Sequence, residues 1–282
     1  MSRFRLLTLA VILPITSGFA ADEANVEELP EFDALLDAAI TREPWGDVSS
    51  DTRIYHSSNI RLLPDTFFFP VDSDIVIAQT FAARLQRRVA ESLLAELFLH
   101  YQLNRYADAD RFNYDTQSAT LRLTGDISEW FQWYVGFGGQ RQELTRNPEG
   151  EFFKSWNPHL GLRRDFPLHP RVTLFTGYQL DWQPSSPGVL DRVNNTLTAG
   201  LTIGLLDRLT AQVLYRLALQ RYTNYRDRFD AGHTGNLTLF YVFCRNARIE
   251  AFLNYLGNES NIRTRDYDVF EAGGALRLSF NF

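Results

Sequence analysis

Few residues in this 282-residue sequence combine a reactive type with a useful spacing. His233 follows Asp227 and Asp230, and an imidazole beside carboxylates can activate a water. Both acids come from one polar stretch, so they would not approach a substrate from opposite walls. His56-Ser57-Ser58 has a His-x-Ser spacing, which places His56 and Ser58 on one face of a strand, a base beside a hydroxyl nucleophile. A chance match in a polar segment explains it as well. His100 and His159 stand alone at alternating positions and read as polar lining. Asp108, Asp110 and Asp115 are hard oxygen donors of the kind calcium takes, but no known spacing fixes them and solvated acids account for them equally. Cys244 is the single cysteine, which excludes an intrachain disulfide and a multi-cysteine metal site and leaves a packing role. No glycine-rich phosphate cradle or zinc-type spacing is present, and no cofactor is expected. The largest chemical group is a charged series, Arg122, Arg163, Arg216, Arg248 and Arg277 with Glu96, Asp181, Glu250 and Glu271.

The elements that carry these residues are legible from about residue 91 onward as segments with period-2 alternation. Phe131, Trp133, Val135 and Phe137 oppose Gln132, Tyr134, Gly136 and Gly138. Leu197, Ala199, Leu201 and Ile203 oppose Thr196, Thr198, Gly200 and Thr202. The last segment sets Phe270, Ala272, Gly274, Leu276, Leu278, Phe280 and Phe282 against Glu271, Gly273, Ala275, Arg277, Ser279 and Asn281. The whole charged series falls on the polar faces. Segment 152–165 alternates less cleanly because Pro158 removes a ladder donor. The apolar faces are nearly free of charge along their centres. Aromatics gather at segment ends, at Phe131, Trp133, Tyr178, Trp182, Tyr255, Phe280 and Phe282, as they do at membrane interfaces. Connections alternate between short (near 87–90, 126–129, 166–170, 206–208, 244–246) and long (near 106–114, 143–151, 183–193, 222–232, 258–267). A soluble sandwich has no reason to keep that beat, whereas membrane barrels have short turns at one rim and long loops at the other.

The N-terminus reads as an export signal over residues 1–20: Arg3 and Arg5, an apolar run from Leu6 to Ile15, and Gly18-Phe19-Ala20 before a cleavage site. Residues 21–52 are acidic, with Pro30, Pro44 and Gly46 and a short amphipathic stretch from Phe32 to Ile40. They read as a loose periplasmic tail or as a plug. No later stretch has the eighteen or so apolar residues a spanning helix needs. Lys154 is the sole lysine and no basic stripe stands out, which argues against a nucleic-acid partner.

The terminus Leu276-Arg277-Leu278-Ser279-Phe280-Asn281-Phe282 resembles the closing strand of Gram-negative outer-membrane β-barrel proteins. In that class alternating apolar residues and a terminal phenylalanine are read by the insertion machinery. The resemblance implies an all-β, closed antiparallel transmembrane barrel over residues 53–282, located in the outer membrane, with outer-membrane lipid and the insertion machinery as partners. It names no subfamily. Its last strand must end on the periplasmic side, so segment 93–105 runs outward and ten strands suffice. Residues 53–63 and 74–86 supply two more, which gives twelve, the favoured count. The rival for 74–89 is a helix, since Ile77, Phe81, Leu85 and Val89 recur every fourth position. Phe67-Phe68-Phe69-Pro70 is left unexplained.

Function is then expected to be a pore or a structural component of transport across the outer membrane. The charged series reads either as a constriction favouring anions or as an internal network of ion pairs filling a narrow barrel. The first alternative is a barrel enzyme, since outer-membrane proteases and the outer-membrane phospholipase are similar in size. On the expected topology, however, His56 lies near the periplasmic end, the wrong leaflet for a phospholipase. A further alternative is a closed barrel that docks a periplasmic partner through 21–52. In a bacterial chain the Asn-x-Ser/Thr sequences at Asn194, Asn236 and Asn258 carry little weight as glycan sites.

Overall fold

In the computed structural model, residues 45–60, 62, 72–90, 92–128, 131–145, 151–225 and 227–282 are described. The export signal, residues 21–44 and Phe67 to Pro70 lie outside them. Twelve long strands follow in order: β1 Gly46–Ser57, β2 Asp74–Ala90, β3 Leu93–Tyr106, β4 Tyr114–Asp126, β5 Phe131–Leu144, β6 Glu151–His169, β7 Val172–Gln183, β8 Arg192–Leu206, β9 Leu209–Tyr222, β10 Phe229–Cys244, β11 Ala247–Ser260 and β12 Tyr267–Asn281. Every one is antiparallel to its sequence neighbours, and β1 pairs with β12 from Asp47↔Asn281 to Ser57↔Glu271, so the sheet closes on itself. Closure removes every edge, which a sheet facing hydrocarbon requires. At the seam Gly46 and Phe282 exchange backbone hydrogen bonds of 3.1 and 3.0 Å, and Trp45 meets Phe282 edge-on.

The alternation works because the two faces meet different solvents. Leu121, Val135, Phe137, Leu160, Leu197, Val213 and Leu253 all point outward and are exposed. Gln102, Asn104, Thr116, Gln140, Gln179, Thr210 and Asn236 point inward and are buried. In water each Å² of this exposed apolar wall would cost roughly 25 cal/mol, so the outer wall calls for lipid. Leu276, Leu278, Phe280 and Phe282 of the closing strand lie on that outer wall.

One boundary changes, and the rival reading of 74–89 falls away. β1 starts at Gly46, so residues 46–52 belong to the barrel and not to the preceding acidic segment. Residues 74–89 form strand β2, hydrogen-bonded to β1 and β3 on either side, and no helix. A repeat of four is also an even number, so Ile77, Phe81, Leu85 and Val89 share one strand face, the exposed one. Pro158 is accommodated because β6 pairs with β7 only from His159 onward, while Lys154 and Ser155 pair with a two-residue strand at Ser185–Ser186. The proline falls in the gap between the ladders, where no donor is missed.

Two apolar clusters pack within the outer half of the barrel. Tyr55, Ile60, Val76, Ala78, Tyr106, Tyr114 and Phe252 form one buried cluster, and Phe153, Leu190 and Tyr222 form another. Phe152 packs against both. Phe112 and Leu190 come from single 3₁₀ turns in the outer loops, Asp110–Phe112 and Gly188–Leu190.

Candidate lumenal site

Strand register decides which of the inward charges meet. Glu96 of β3 lies directly opposite Arg122 of β4. Arg122 donates to Glu96 Oε2 from Nε at 3.0 Å and from Nη2 at 2.8 Å, and Thr124 adds its hydroxyl at 3.1 Å. Both side chains are nearly fully buried. Two further pairs use residues two apart on one strand, hence on one face: Arg163 with Asp165 at 2.8 Å and Arg248 with Glu250 at 2.6 Å. Each of these arginines also lies over a ring. Arg122 covers Phe98 and Tyr134, Arg163 covers Phe175, and Arg248 covers Phe240. The rings need room. A Cβ on Gly161 would run into Tyr134, and one on Gly200 would run into Phe175, so glycine is required opposite both. All of this lies in the periplasmic half, where guanidinium and ring planes fill the barrel.

Nearer the outer rim, neutral amides knit the charges together. Asp181 accepts from Asn194 at 2.6 Å and Gln179 at 3.5 Å. Arg192 donates to Gln183, Gln220 and the Tyr222 hydroxyl at 2.8, 3.2 and 2.9 Å. Glu271 accepts from Asn254 at 3.0 Å. Arg228 pairs with Asp230, which Ser260 and Asn258 also bind. Burial pulls the Arg228 pKa down, but the Asp230 bond and the nearby Tyr222 and Asp230 charges outweigh it, leaving the value above the ordinary one for arginine.

All nine charged residues singled out from the sequence are inward. Seven are buried, while Arg216 and Arg277 are half-buried. Glu96 meets Arg122 and Glu250 meets Arg248, whereas Arg216 has no ion-pair or hydrogen-bond partner among the described residues. Pairing partners that sequence reasoning missed include Asp165, Arg192, Arg228 and Asp230. The Arg-x-Asp spacing of Arg163 and Arg228 was the available signal. Arg192 and Arg228 sit at strand ends that read as loops.

One pair of catalytic candidates is split between the two faces. His233 faces outward and shares a 2.7 Å hydrogen bond with the Tyr215 hydroxyl, whereas Asp230 is inside with Arg228. His56 is at the outer end of β1, not the periplasmic end, because the strand begins earlier than expected. Its side chain is exposed on the outer wall, and Ser58 Oγ accepts from the Phe270 amide at 2.8 Å. His159 faces inward and bonds the Asn157 carbonyl at 3.0 Å. Asp115 is held by Arg105 at 2.7 Å and by the Tyr101 hydroxyl. Among the described residues no group of three or more His, Cys, Asp or Glu is placed to hold a metal.

No family model matches the chain, and no curated protein matches it. Among solved structures it is similar to an outer membrane channel from Pseudomonas putida F1, with 12% identity and a TM-score of 0.53 over 85% of this chain and 97% of that one. The fold is that of an outer-membrane β-barrel. Two further barrels align with lower scores. An anion-selective porin from Comamonas acidovorans has 9% identity and a TM-score of 0.46, over 83% of this chain and 98% of its own. LpxR from Salmonella typhimurium has 7% and 0.46, over 82% and 99%. At these identities the likeness concerns the backbone course of the outer-membrane barrel and not its chemistry.

Proposed function

We propose that this outer-membrane barrel is a narrow pore for small polar solutes. One observation carries the reading: the inward face carries most of the buried amides, hydroxyls and charges while the exposed oily side chains of the strands point outward, so the interior suits water and solutes better than lipid. Buried polar atoms such as Asn104 Nδ2, Thr116 Oγ1, Gln140 Nε2 and Gln142 Oε1 have no protein partner, and water or solute would satisfy them. The ion pairs of Arg122, Arg163 and Arg248 support the structural role for most of the lumenal charge and leave Arg216 as the residue that sets ion preference. Export by the signal at residues 1–20, and recognition of Leu276, Leu278, Phe280 and Phe282 by the insertion machinery, belong to the same reading.

The test is a planar-bilayer recording of the purified full chain. Stepwise conductance is expected, and Arg216→Glu should move the reversal potential in a salt gradient toward cations. A protein that inserts, runs as a folded barrel on an unheated gel and yet never conducts would overturn the pore.

A further inference from the structure

Arg216 differs from the other lumenal arginines in what surrounds it. Its register partners are Thr198 on β8 and Thr234 on β10, so the three side chains form one lateral row on the inner wall. Both threonines are 8% exposed. Among the described residues neither hydroxyl has a hydrogen-bond partner. The carboxylate that acts on Arg216 electrostatically is Asp181, which accepts from Asn194 and Gln179 and makes no hydrogen bond to Arg216 among the described residues. The row continues to Gly177, which pairs with Thr198 and has no side chain to fill the space beside it. A Cβ there would meet nothing closer than the Leu162 carbonyl at 3.5 Å.

A half-buried guanidinium without an ion pair, set between two free hydroxyls, leaves donors for something in the lumen to complete. Water can serve the donors, and a group that also answers the charge accepts several hydrogen bonds and is negative. A guanidinium presents a planar fork that fits two oxygens of one group, and each hydroxyl can add a donor from the side. A halide offers a single point and matches the fork less well than two oxygens do.

We infer that Thr198, Arg216 and Thr234 form a docking site for an oxyanion, the carboxylate or phosphate group of a small solute, on its way through the lumen. This rests on the pore reading for its physiological sense, but binding itself does not require conduction.

The experiment uses the detergent-purified full chain and three probes, inorganic phosphate, acetate and chloride, titrated by calorimetry at constant ionic strength. Saturable binding of phosphate or acetate is expected, with the tighter of the two naming the solute's group, and chloride binding much more weakly. Arg216→Gln should weaken binding about tenfold or more, the worth of a charge-assisted hydrogen bond. Thr198→Val with Thr234→Val should weaken it less, and Arg216→Lys should keep part of it. Wild-type protein that binds neither oxyanion, that binds chloride equally well, or that binds as tightly after Arg216→Gln would overturn the site. If a variant fails to fold, the wild-type comparison of phosphate with chloride still decides. Silence in the bilayer with intact calorimetric binding would remove the pore and leave the site standing.

Discussion

At the scale of single residues, arginines on the same wall do opposite work, and neighbours decide which. Arg122 lies buried against Glu96 with two hydrogen bonds and between two rings. Removing one partner of such a pair leaves an uncompensated charge, which typically costs about 3–5 kcal/mol. Glu96→Ala should therefore destabilise the barrel by that order in urea unfolding from lipid vesicles. Adding Arg122→Met should recover part of the loss, because the double change removes the orphaned charge. A cost below about 0.5 kcal/mol for Glu96→Ala, the level of an ordinary surface substitution, would mean the pair contributes nothing. Arg216→Gln breaks no pair and should leave the unfolding midpoint nearly unchanged while altering ion preference.

At the scale of strands, lipid imposes the pattern, and the pattern weakens wherever polar groups satisfy one another. Leu121 and Val135 face outward near mid-strand, and Ile127 lies at the periplasmic turn. Leu121→Arg and Val135→Arg should each cost about 2–4 kcal/mol in folding into vesicles, and Ile127→Arg about 0–1, since the penalty falls toward the interface. Equal costs at the two depths would place the membrane elsewhere on the wall. The same physics explains what the sequence revealed. Strands from β3 onward are legible because their outward faces are almost purely apolar. β1 is not, because Ser50 and Thr52 sit on its outer face and bond Gln79 of β2 at 2.9 and 2.5 Å. Three polar side chains that pair among themselves can lie outside without a large desolvation penalty, but to a reader of hydropathy they look like a loop. The candidate site was half legible. Alternation places Arg216 inward, yet only register reveals that Thr198 and Thr234 flank it and that no carboxylate is its direct neighbour across the strands.

At the scale of the whole molecule the barrel is largely polar along its inner wall but carries two apolar clusters toward its outer end. Tyr55, Val76, Tyr106 and Tyr114 project from the strands, Ile60, Phe112 and Leu190 come from the loops, and Phe152 joins the two clusters beneath them. If these clusters narrow the lumen, they resist wetting and so resist ions. Conductance of the native barrel should then be low and set by them. Arg216, farther in, should determine which ions pass and not how many. Phe152 is the lever, because it touches both clusters and its loss separates them. Phe152→Ser should raise single-channel conductance severalfold while leaving the reversal potential in a salt gradient where Arg216 puts it. Arg216→Gln should do the converse, shifting the potential with little change in conductance. If Phe152→Ser changed selectivity, or if conductance stayed the same with the barrel folded, the clusters would not be the barrier, and ions would have to enter the lumen around them.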